Sequence, residues 1–390
     1  MEDDRLMEIY YGQPSHERIV GNIYKGKVED VLPGLGSAFV DVGEKQSLFL
    51  SQGEINDAIL TSCGFKPWHG SAPINKVLKS GQTVVLQVRR GGIGTKNPQG
   101  TTKISIPGRY WVLLPTEDRL GVSRRIENVR DQRRLRRIAH GLKKSSEGMI
   151  ARTAAQKADK EALEYDYGLL TQTWDRINKA AASASAPQLL YKTMGLVQTI
   201  LRDRLIPDIQ EILVDNQFFY DKIIYFLDYM RMSEYKEKIR IYNGRDKLFD
   251  HYKIESQIQE TMSRRVDLSG GGFIVIDETE ALTAIDVNTG GDVKHRNQQA
   301  AILNTNLEAA EEIGRQLRLR QISGIIVVDF VDMENPRSEQ RVIEAVKGEL
   351  KKDRVPSDFI DITGLGLAEI TRKRAGESLA GVLDNGEIEA

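Results

Sequence analysis

A fully apolar run, Ile325 to Val328, constrains the fold of this sequence more than any other feature. It lies between a Ser-Gly pair and an aspartate, and short bounded runs of this kind are typical of strands buried on both faces of a sheet. The preceding stretch, 306–320, repeats apolar residues at helical spacing, and apolar runs at 273–276 and 281–285 predict a hairpin. The sequence therefore predicts that its C-terminal third is a sheet of buried strands covered by helices.

Two of these apolar runs end in an aspartate, Asp286 in one and Asp329 in the other. If the two strands are neighbours, their carboxylates lie close together and repel each other unless a cation sits between them. Mg²⁺ accepts one or two carboxylates and completes its shell with water and phosphate oxygens. Asn288 points to the same side of an extended chain as Asp286 and can donate to a phosphate oxygen. The pattern indicates a magnesium site, and aspartates that only cap strand ends fit it as well.

Residues 19–105 contain short strand-like runs broken by Gly and Pro, which predict a small β-barrel. Phe39 and Phe49 lie on consecutive runs of this segment. An aromatic pair on the face of a small barrel can stack with the bases of single-stranded RNA, and the same two residues fit a barrel core equally well. Lys96, in the adjacent glycine-rich loop, is placed to meet a phosphate.

Strand-like and helical stretches alternate from 106 to 262, with helices predicted over 127–144 and 157–182. The formal net charge of the chain is −1, yet the segment from Arg124 to Lys144 is rich in Arg and Lys. A basic patch on a neutral protein is compatible with phosphate binding, and it is also typical of a solvated helix surface.

The length of 390 residues predicts several α+β or α/β modules. No apolar run reaches the roughly 18–20 residues that cross a bilayer, and Met1 to Leu6 is too acidic for a secretory signal. We therefore expect a cytoplasmic protein, or an organellar stromal one if the source carries plastids. Cys63 is the single cysteine, so we expect neither an intramolecular disulfide nor a zinc site.

Several long motifs of this sequence closely resemble one family of proteins. The motifs begin at Tyr252 (Tyr-Lys-Ile-Glu-Ser-Gln-Ile-Gln), Ile276 (Ile-Asp-Glu-Thr-Glu-Ala-Leu-Thr-Ala-Ile-Asp-Val-Asn), Gly324 (Gly-Ile-Ile-Val-Val-Asp-Phe-Val-Asp-Met) and Glu369 (Glu-Ile-Thr-Arg-Lys-Arg). The family that they resemble is ribonuclease E/G, and a further match at Asn22-Ile-Tyr-Lys-Gly-Lys-Val extends the resemblance over nearly the whole chain.

The resemblance implies a multidomain α+β architecture. In it, an RNase H-like module formed by 1–18 and 198–262 is interrupted by an oligonucleotide-binding β-barrel at 19–102 and a 5′-sensor module at 103–197. A DNase I-like catalytic module at 263–390 follows.

The resemblance also implies roles for particular residues. The catalytic residues are Asp286, Asn288 and Asp329, of which the two aspartates bind the metal. The pocket for a 5′-monophosphate corresponds to Arg152 and Thr153 with the backbone of Val112, and the guanidinium fork of Arg152 suits a terminal phosphate. The implied RNA-binding residues are Phe39, Phe49, Lys96, Arg124 and Arg125.

The implied activity is that of an endoribonuclease that uses Mg²⁺, or Mn²⁺ in its place, to cut single-stranded AU-rich RNA. It would leave 5′-phosphate and 3′-hydroxyl ends during RNA processing and decay, and a 5′-monophosphate would stimulate it. The sequence does not decide between rRNA processing and mRNA decay as its role. A non-catalytic RNA-binding protein on the same fold is the alternative. The family forms dimers or tetramers through a Cys-Pro-x-Cys zinc link, which this sequence does not contain, so homo-oligomer formation stays open.

Overall fold

The structure, a computed structural model, describes residues 1–12, 19–66, 72–92, 96–144, 146–290, 298–374 and 378–384. The chain divides into two compact units, one formed by Pro14–Ile241 and the other by Met1–Gln13 with Tyr242–Ala390. The finer division into four modules stays a prediction. Among the described residues, no helix is long and apolar enough to span a membrane.

The first part of the Pro14–Ile241 unit is a closed barrel. Its elements are β1 (Ile23–Leu32), β2 (Ser37–Asp41), β3 (Leu48–Ser51), α1 (Asp57–Ser62), α2 (Ile74–Val77), β4 (Thr83–Arg90) and β5 (Gln99–Thr101). The strands follow the order β1-β2-β3-β5-β4, and β4 pairs again with β1 to close the barrel. This five-stranded arrangement is OB-like, and it confirms the small barrel that the Gly- and Pro-broken runs predicted.

The next part of this unit is a four-stranded sheet with two helices. Its elements are β6 (Ile106–Pro107), β7 (Trp111–Leu114), β8 (Leu120–Val122), α3 (Val129–Leu142), β9 (Gly148–Ala151) and α4 (Lys160–Ser183). The strand order is β6-β7-β9-β8, with β8 and β9 parallel. Trp111, Leu135, Met149 and Leu163 are fully buried in the core that joins the sheet to the helices. Helices α3 and α4 confirm the two helices predicted here.

A smaller group of elements completes the unit: β10 (Gln188–Tyr191), α5 (Leu196–Arg204), β11 (Ile212–Val214), α6 (Gln217–Tyr229) and β12 (Ile239–Ile241). β10 pairs with β1 and so extends the barrel sheet, whereas β11 and β12 pair with each other in parallel. The sequence did not predict α5.

The other unit is built on a six-stranded sheet. Its elements are α7 (Leu248–His251), α8 (Ile254–Thr261), β13 (Arg265–Asp267), β14 (Phe273–Glu278), β15 (Leu282–Asn288), α9 (Gln298–Leu319), β16 (Gly324–Asp329), α10 (Pro336–Lys352), β17 (Ser357–Ile362), β18 (Ala368–Arg372) and α11 (Leu379–Asp384). The strand order is β13-β14-β15-β16-β18-β17, and β15 and β16 are the parallel pair. The hairpin, the strand and the helix predicted over 306–320 are therefore confirmed. The expectation that the Ile325–Val328 strand is buried on both faces is wrong, because Ile326 and Val328 are buried on one face whereas Ile325 is 52% exposed on the other.

One face of this sheet is buried under α9 and α10. Every second strand residue, including Ile274, Ile285 and Val328, packs into a core with apolar residues of the two helices. The residues between them face the other way, because successive side chains of a strand point to opposite faces. We call this second side, which carries Asp286, Asn288 and the other alternate residues, the open face.

Candidate active site and 5′-end pocket

The parallel pairing of β15 with β16 makes Asp286 and Asp329 register partners at the carboxyl ends of their strands. Both side chains are exposed on the open face, since the neighbouring Ile285, Val287 and Val328 are buried on the opposite one. The amide of Asn288 lies on the same face, and its Nδ2 donates to Asp286 Oδ2 over 2.9 Å. The structure therefore brings together the three residues that were predicted to form the catalytic site.

The donor set on the open face is suited to a hard divalent cation. Among the described residues, no group of three or more His, Cys, Asp or Glu side chains is placed to hold a metal by itself. Mg²⁺ does not need such a group, because it binds through one or two carboxylates and takes its remaining ligands from water and substrate phosphate. Two exposed carboxylates on adjacent strands, with an amide donor beside them, fit that requirement.

A second cluster of predicted residues lies at the ends of the parallel strands β8 and β9. Arg152 and Thr153 follow β9, and Ser123 and the two arginines 124 and 125 follow β8. Ser123 joins the two chain segments, since its amide donates to Ala151 O over 2.8 Å and its hydroxyl lies 3.1 Å from Thr153 Oγ1. On the other side of β9, Val112 is the register partner of Ile150. Arg152 and Thr153, directly after β9, are thus close to Val112 on the adjacent strand β7 and to Arg124 and Arg125 after β8.

The guanidinium of Arg152 is held by one nitrogen. Its Nη1 donates to Gly108 O over 2.5 Å and pairs with Asp203 Oδ1 at 2.7 Å. Asp203 also binds Arg202, whose Nε and Nη2 donate hydrogen bonds to the two carboxylate oxygens of Asp203 over 2.7 and 2.9 Å. The Arg152 side chain is 27% exposed, so part of its guanidinium remains accessible from solvent.

Asp203 stays ionised at neutral pH. Burial by itself would raise the pKa of Asp203, but the guanidinium groups of Arg202 and Arg152 outweigh it and hold that pKa below its ordinary value. Sequence reasoning missed Asp203, because it lies on the unpredicted helix α5 and no motif marks it.

The carbonyl that holds Arg152 is fixed by a buried carboxylate. Asp166 of α4 accepts hydrogen bonds from the backbone amides of Arg109, Tyr110 and Trp111 over 3.0, 2.9 and 3.0 Å. A Cβ on Gly108 would lie 2.6 Å from Asp166 Oδ2, closer than real Cβ contacts come. Gly108 is therefore required for the tight approach that presents its carbonyl to Arg152.

The aromatic pair of the barrel lies outside its core. Phe39 and Phe49 are register partners on β2 and β3, and their rings meet edge-to-face with centroids 5.9 Å apart. Both are half-buried, whereas Ala38, Val40 and Leu48, which alternate with them, line the barrel interior. Of the two interpretations of the sequence, the barrel-core role for Phe39 and Phe49 is therefore wrong. Stacking of the two rings with RNA bases stays a prediction.

The basic residues near these sites are of two kinds. Lys96 is exposed and shortly precedes Gln99, the register partner of Phe49. Most of the arginines of α3 also face solvent. Arg134 does not, because its guanidinium donates to three backbone carbonyls at 155, 156 and 158 and so anchors the turn after Arg152.

Comparison with known proteins places the chain in a family. Residues 105–375 match the model of the Ribonuclease E/G family. The chain is 37% identical to Ribonuclease G of Escherichia coli strain K12 over 97% of its own length and 78% of that protein. It is 38% identical to Ribonuclease E of the same strain and 36% identical to Ribonuclease E of Nostoc sp. strain PCC 7120, again over 97% of its length, which covers 36% and 54% of those proteins. The chain therefore belongs to the ribonuclease E/G family, and the prediction that it is an endoribonuclease is confirmed.

Proposed function

We propose that this protein hydrolyses single-stranded, AU-rich RNA internally with Mg²⁺, leaving 5′-phosphate and 3′-hydroxyl ends. The observation that carries the proposal is the register pairing of Asp286 with Asp329 on the open face, beside Asn288. Identity to the relatives named Ribonuclease G and Ribonuclease E is nearly equal. These identities favour neither relative, and we accordingly propose a role in RNA processing and decay in the cytoplasm, which leaves rRNA processing and mRNA decay as two alternative routes.

The proposal extends to the implied architecture. The OB-like barrel is the oligonucleotide-binding module, the β6–β9 sheet with its helices is the 5′-sensor, and the six-stranded sheet is the DNase I-like module. Residues 1–18 with 198–262 are assigned to the RNase H-like module.

The catalytic step depends on charge at the scissile phosphate. Asp286 and Asp329 would hold Mg²⁺, which activates a water and offsets the negative charge that develops on the phosphate. The hydrogen bond from Asn288 orients the carboxylate of Asp286, which would hold the cation together with Asp329. The same amide has a second N–H, which can donate to a phosphate oxygen and orient it for attack.

Two further surfaces hold the RNA in this proposal. Phe39 and Phe49 offer aromatic rings on the outside of the barrel, where unpaired bases can stack. Arg152, with Nη1 held by Gly108 and Asp203, would bind a terminal phosphate through its planar guanidinium, whose donors match phosphate oxygens. A 5′-monophosphorylated RNA should therefore be cut faster than the same RNA with a 5′-hydroxyl.

The test compares the wild-type chain with Asp286→Asn on a short 5′-monophosphorylated AU-rich RNA. We expect Mg²⁺-dependent cutting by the wild type, none in excess EDTA, and none by Asp286→Asn, which should still bind the RNA. Asp358→Asn is the matched control, because it removes an exposed carboxylate from the edge strand β17 of the same sheet. Cutting by Asp286→Asn at the wild-type rate would contradict the metal assignment. Tight binding without cutting by the wild type would favour the non-catalytic alternative.

The same RNA with a 5′-hydroxyl tests the pocket separately. Arg152→Gln should remove the preference for the 5′-monophosphate and leave cutting of the 5′-hydroxyl RNA unchanged. An unaltered preference in that variant would show that the terminal phosphate is recognised elsewhere.

A further inference from the structure

An arginine lies stacked on an aromatic ring on the open face of the six-stranded sheet. The guanidinium carbon of Arg265, on β13, is 3.8 Å from the centroid of the Phe273 ring, on β14. The Arg265 side chain is 57% exposed. Neither residue belongs to the core under α9 and α10, which receives the intervening Val266 and Ile274 instead. The outer plane of the guanidinium is thus presented to solvent.

The strand register puts this stack beside the acidic pair. Phe273 is the register partner of Asn288, and Val275, two residues along β14, is the register partner of Asp286. Two residues along a strand correspond to about 7 Å, and both positions belong to the same face. A base attached to a nucleotide next to the scissile phosphate would extend over a distance of this order.

The orientation of the guanidinium is held by a neighbouring carboxylate. Nε and Nη2 of Arg265 approach Asp267 Oδ1 at 2.9 and 2.8 Å. An arginine clamped along one edge keeps its flat faces available, with Phe273 against one of them. Guanidinium planes and aromatic rings are the surfaces on which unpaired nucleobases stack, and they do so with little regard to base identity.

We propose that Arg265 on Phe273 is a nucleobase platform, which stacks the base of a nucleotide adjacent to the scissile phosphate of single-stranded RNA. The proposal rests on the function proposed above and adds a substrate-positioning contact to it. The platform positions the RNA strand over Asp286 and Asp329. The platform contributes to RNA affinity through the flat face of the guanidinium and not through the positive charge of Arg265 alone.

The test separates the plane from the charge. Arg265→Lys keeps the positive charge and removes the flat surface, and Phe273→Leu keeps an apolar side chain and removes the ring. Both are compared in a full-length chain carrying Asp286→Asn, in excess EDTA, so that affinity is measured without cutting. The probes are one fluorescent RNA and two versions of it that lack the base on either side of the cleavage position.

With Arg265 present, removing one of the two bases should weaken binding roughly tenfold, as expected for the loss of one stacked base. Arg265→Lys should weaken binding of the intact RNA by a similar factor and show no further loss with the abasic RNA. Phe273→Leu should behave in the same way. Lys347→Gln is the matched control, since Lys347 Nζ lies 5.1 Å from the Phe359 ring in the same unit and its loss should leave both affinities unchanged.

Two results would overturn the platform: wild-type affinity of Arg265→Lys for the intact RNA, or an abasic penalty that persists in that variant. Arg265 is exposed and outside the core, so its replacement by lysine leaves the fold in place. Because the readout is binding, a chain that binds RNA as predicted but never cuts it would contradict the proposed function alone. The absence of any RNA binding would contradict both.

Discussion

Replacing Arg372 by methionine tests whether this arginine is structural. Arg372 belongs to the Glu369 motif of the family resemblance, where a basic residue invites an RNA-binding interpretation. The structure instead buries its side chain to 4% exposure beside Asp353, at 5%. Its Nε donates to Asp353 Oδ2 over 2.6 Å and its Nη1 to Ile322 O over 2.7 Å. We therefore expect Arg372→Met to destabilise the six-stranded sheet.

The magnitude follows from what the substitution leaves behind. A buried ion pair adds little net stability, but the loss of one partner strands the other charge in the interior and costs about 3–5 kcal/mol. Asp353 would lose the guanidinium but keep the hydrogen bonds that it accepts from Val355 N and Ser357 Oγ, so we expect the lower end of this range, about 3 kcal/mol. Such a loss is a large fraction of the roughly 5–15 kcal/mol by which folded domains are stable.

Hydrogen–deuterium exchange of β16 and β18 is the appropriate assay. Tryptophan fluorescence does not report on this unit, because Trp68, Trp111 and Trp174 all belong to the Pro14–Ile241 unit. A loss of about 3 kcal/mol should speed exchange by roughly 100-fold, since each 1.4 kcal/mol is a factor of ten. Arg264→Gln is the control, because the Arg264–Asp277 pair is exposed and its loss should leave exchange unchanged.

One result would refute this reasoning. If the amides of β16 and β18 exchanged at the wild-type rate in Arg372→Met while the variant lost RNA binding, Arg372 would contact the RNA. It would then not stabilise the sheet as its burial indicates.

Three further predictions concern the RNA-binding surfaces. Asp203→Asn should lower the 5′-monophosphate preference several-fold, because Arg152 loses the charged partner that orients it. The control is Asp118→Asn, at an exposed residue, which should not change the preference. An unchanged preference in Asp203→Asn would contradict the positioning role of Asp203. The pKa of Asp203 is lower in the folded protein than in the unfolded chain, where it is about 4. The stabilisation that ionised Asp203 gives to its pairing with Arg152 is therefore present above about pH 4 and is lost as the pH falls through the lower, folded-state pKa. A terminal phosphate has a second pKa of about 6, so the preference itself falls at pH 5. The ratio of the wild-type preference to that of Asp203→Asn should nevertheless be equal at pH 5 and pH 7, and a smaller ratio at pH 5 would contradict this. Phe39→Leu should weaken RNA binding roughly tenfold without lowering the melting temperature, because the ring lies outside the barrel core; a clear fall in melting temperature would contradict that placement.

Local sequence patterns were sufficient to predict most strands and helices of this protein. The Gly- and Pro-broken runs predicted the barrel, and the helical spacing of 306–320 predicted the core of α9, which extends from Gln298 to Leu319. These predictions succeed because the side-chain period of each element sets which residues can be buried together, and that period is visible in the sequence. The aspartates at the ends of β15 and β16 were visible for the same reason.

The tertiary structure decided which of these residues meet. The crossover through α9 makes β15 and β16 parallel neighbours, and only this pairing places Asp286 opposite Asp329. Barrel closure turns Ala38 inward and Phe39 outward, which the alternation of the strand leaves open. The contact of Arg152 with Asp203 joins the end of β9 to α5. Each of these contacts joins segments that are far apart in the sequence, so it depends on the chain topology. A local sequence pattern indicates only which face of a helix or strand is buried.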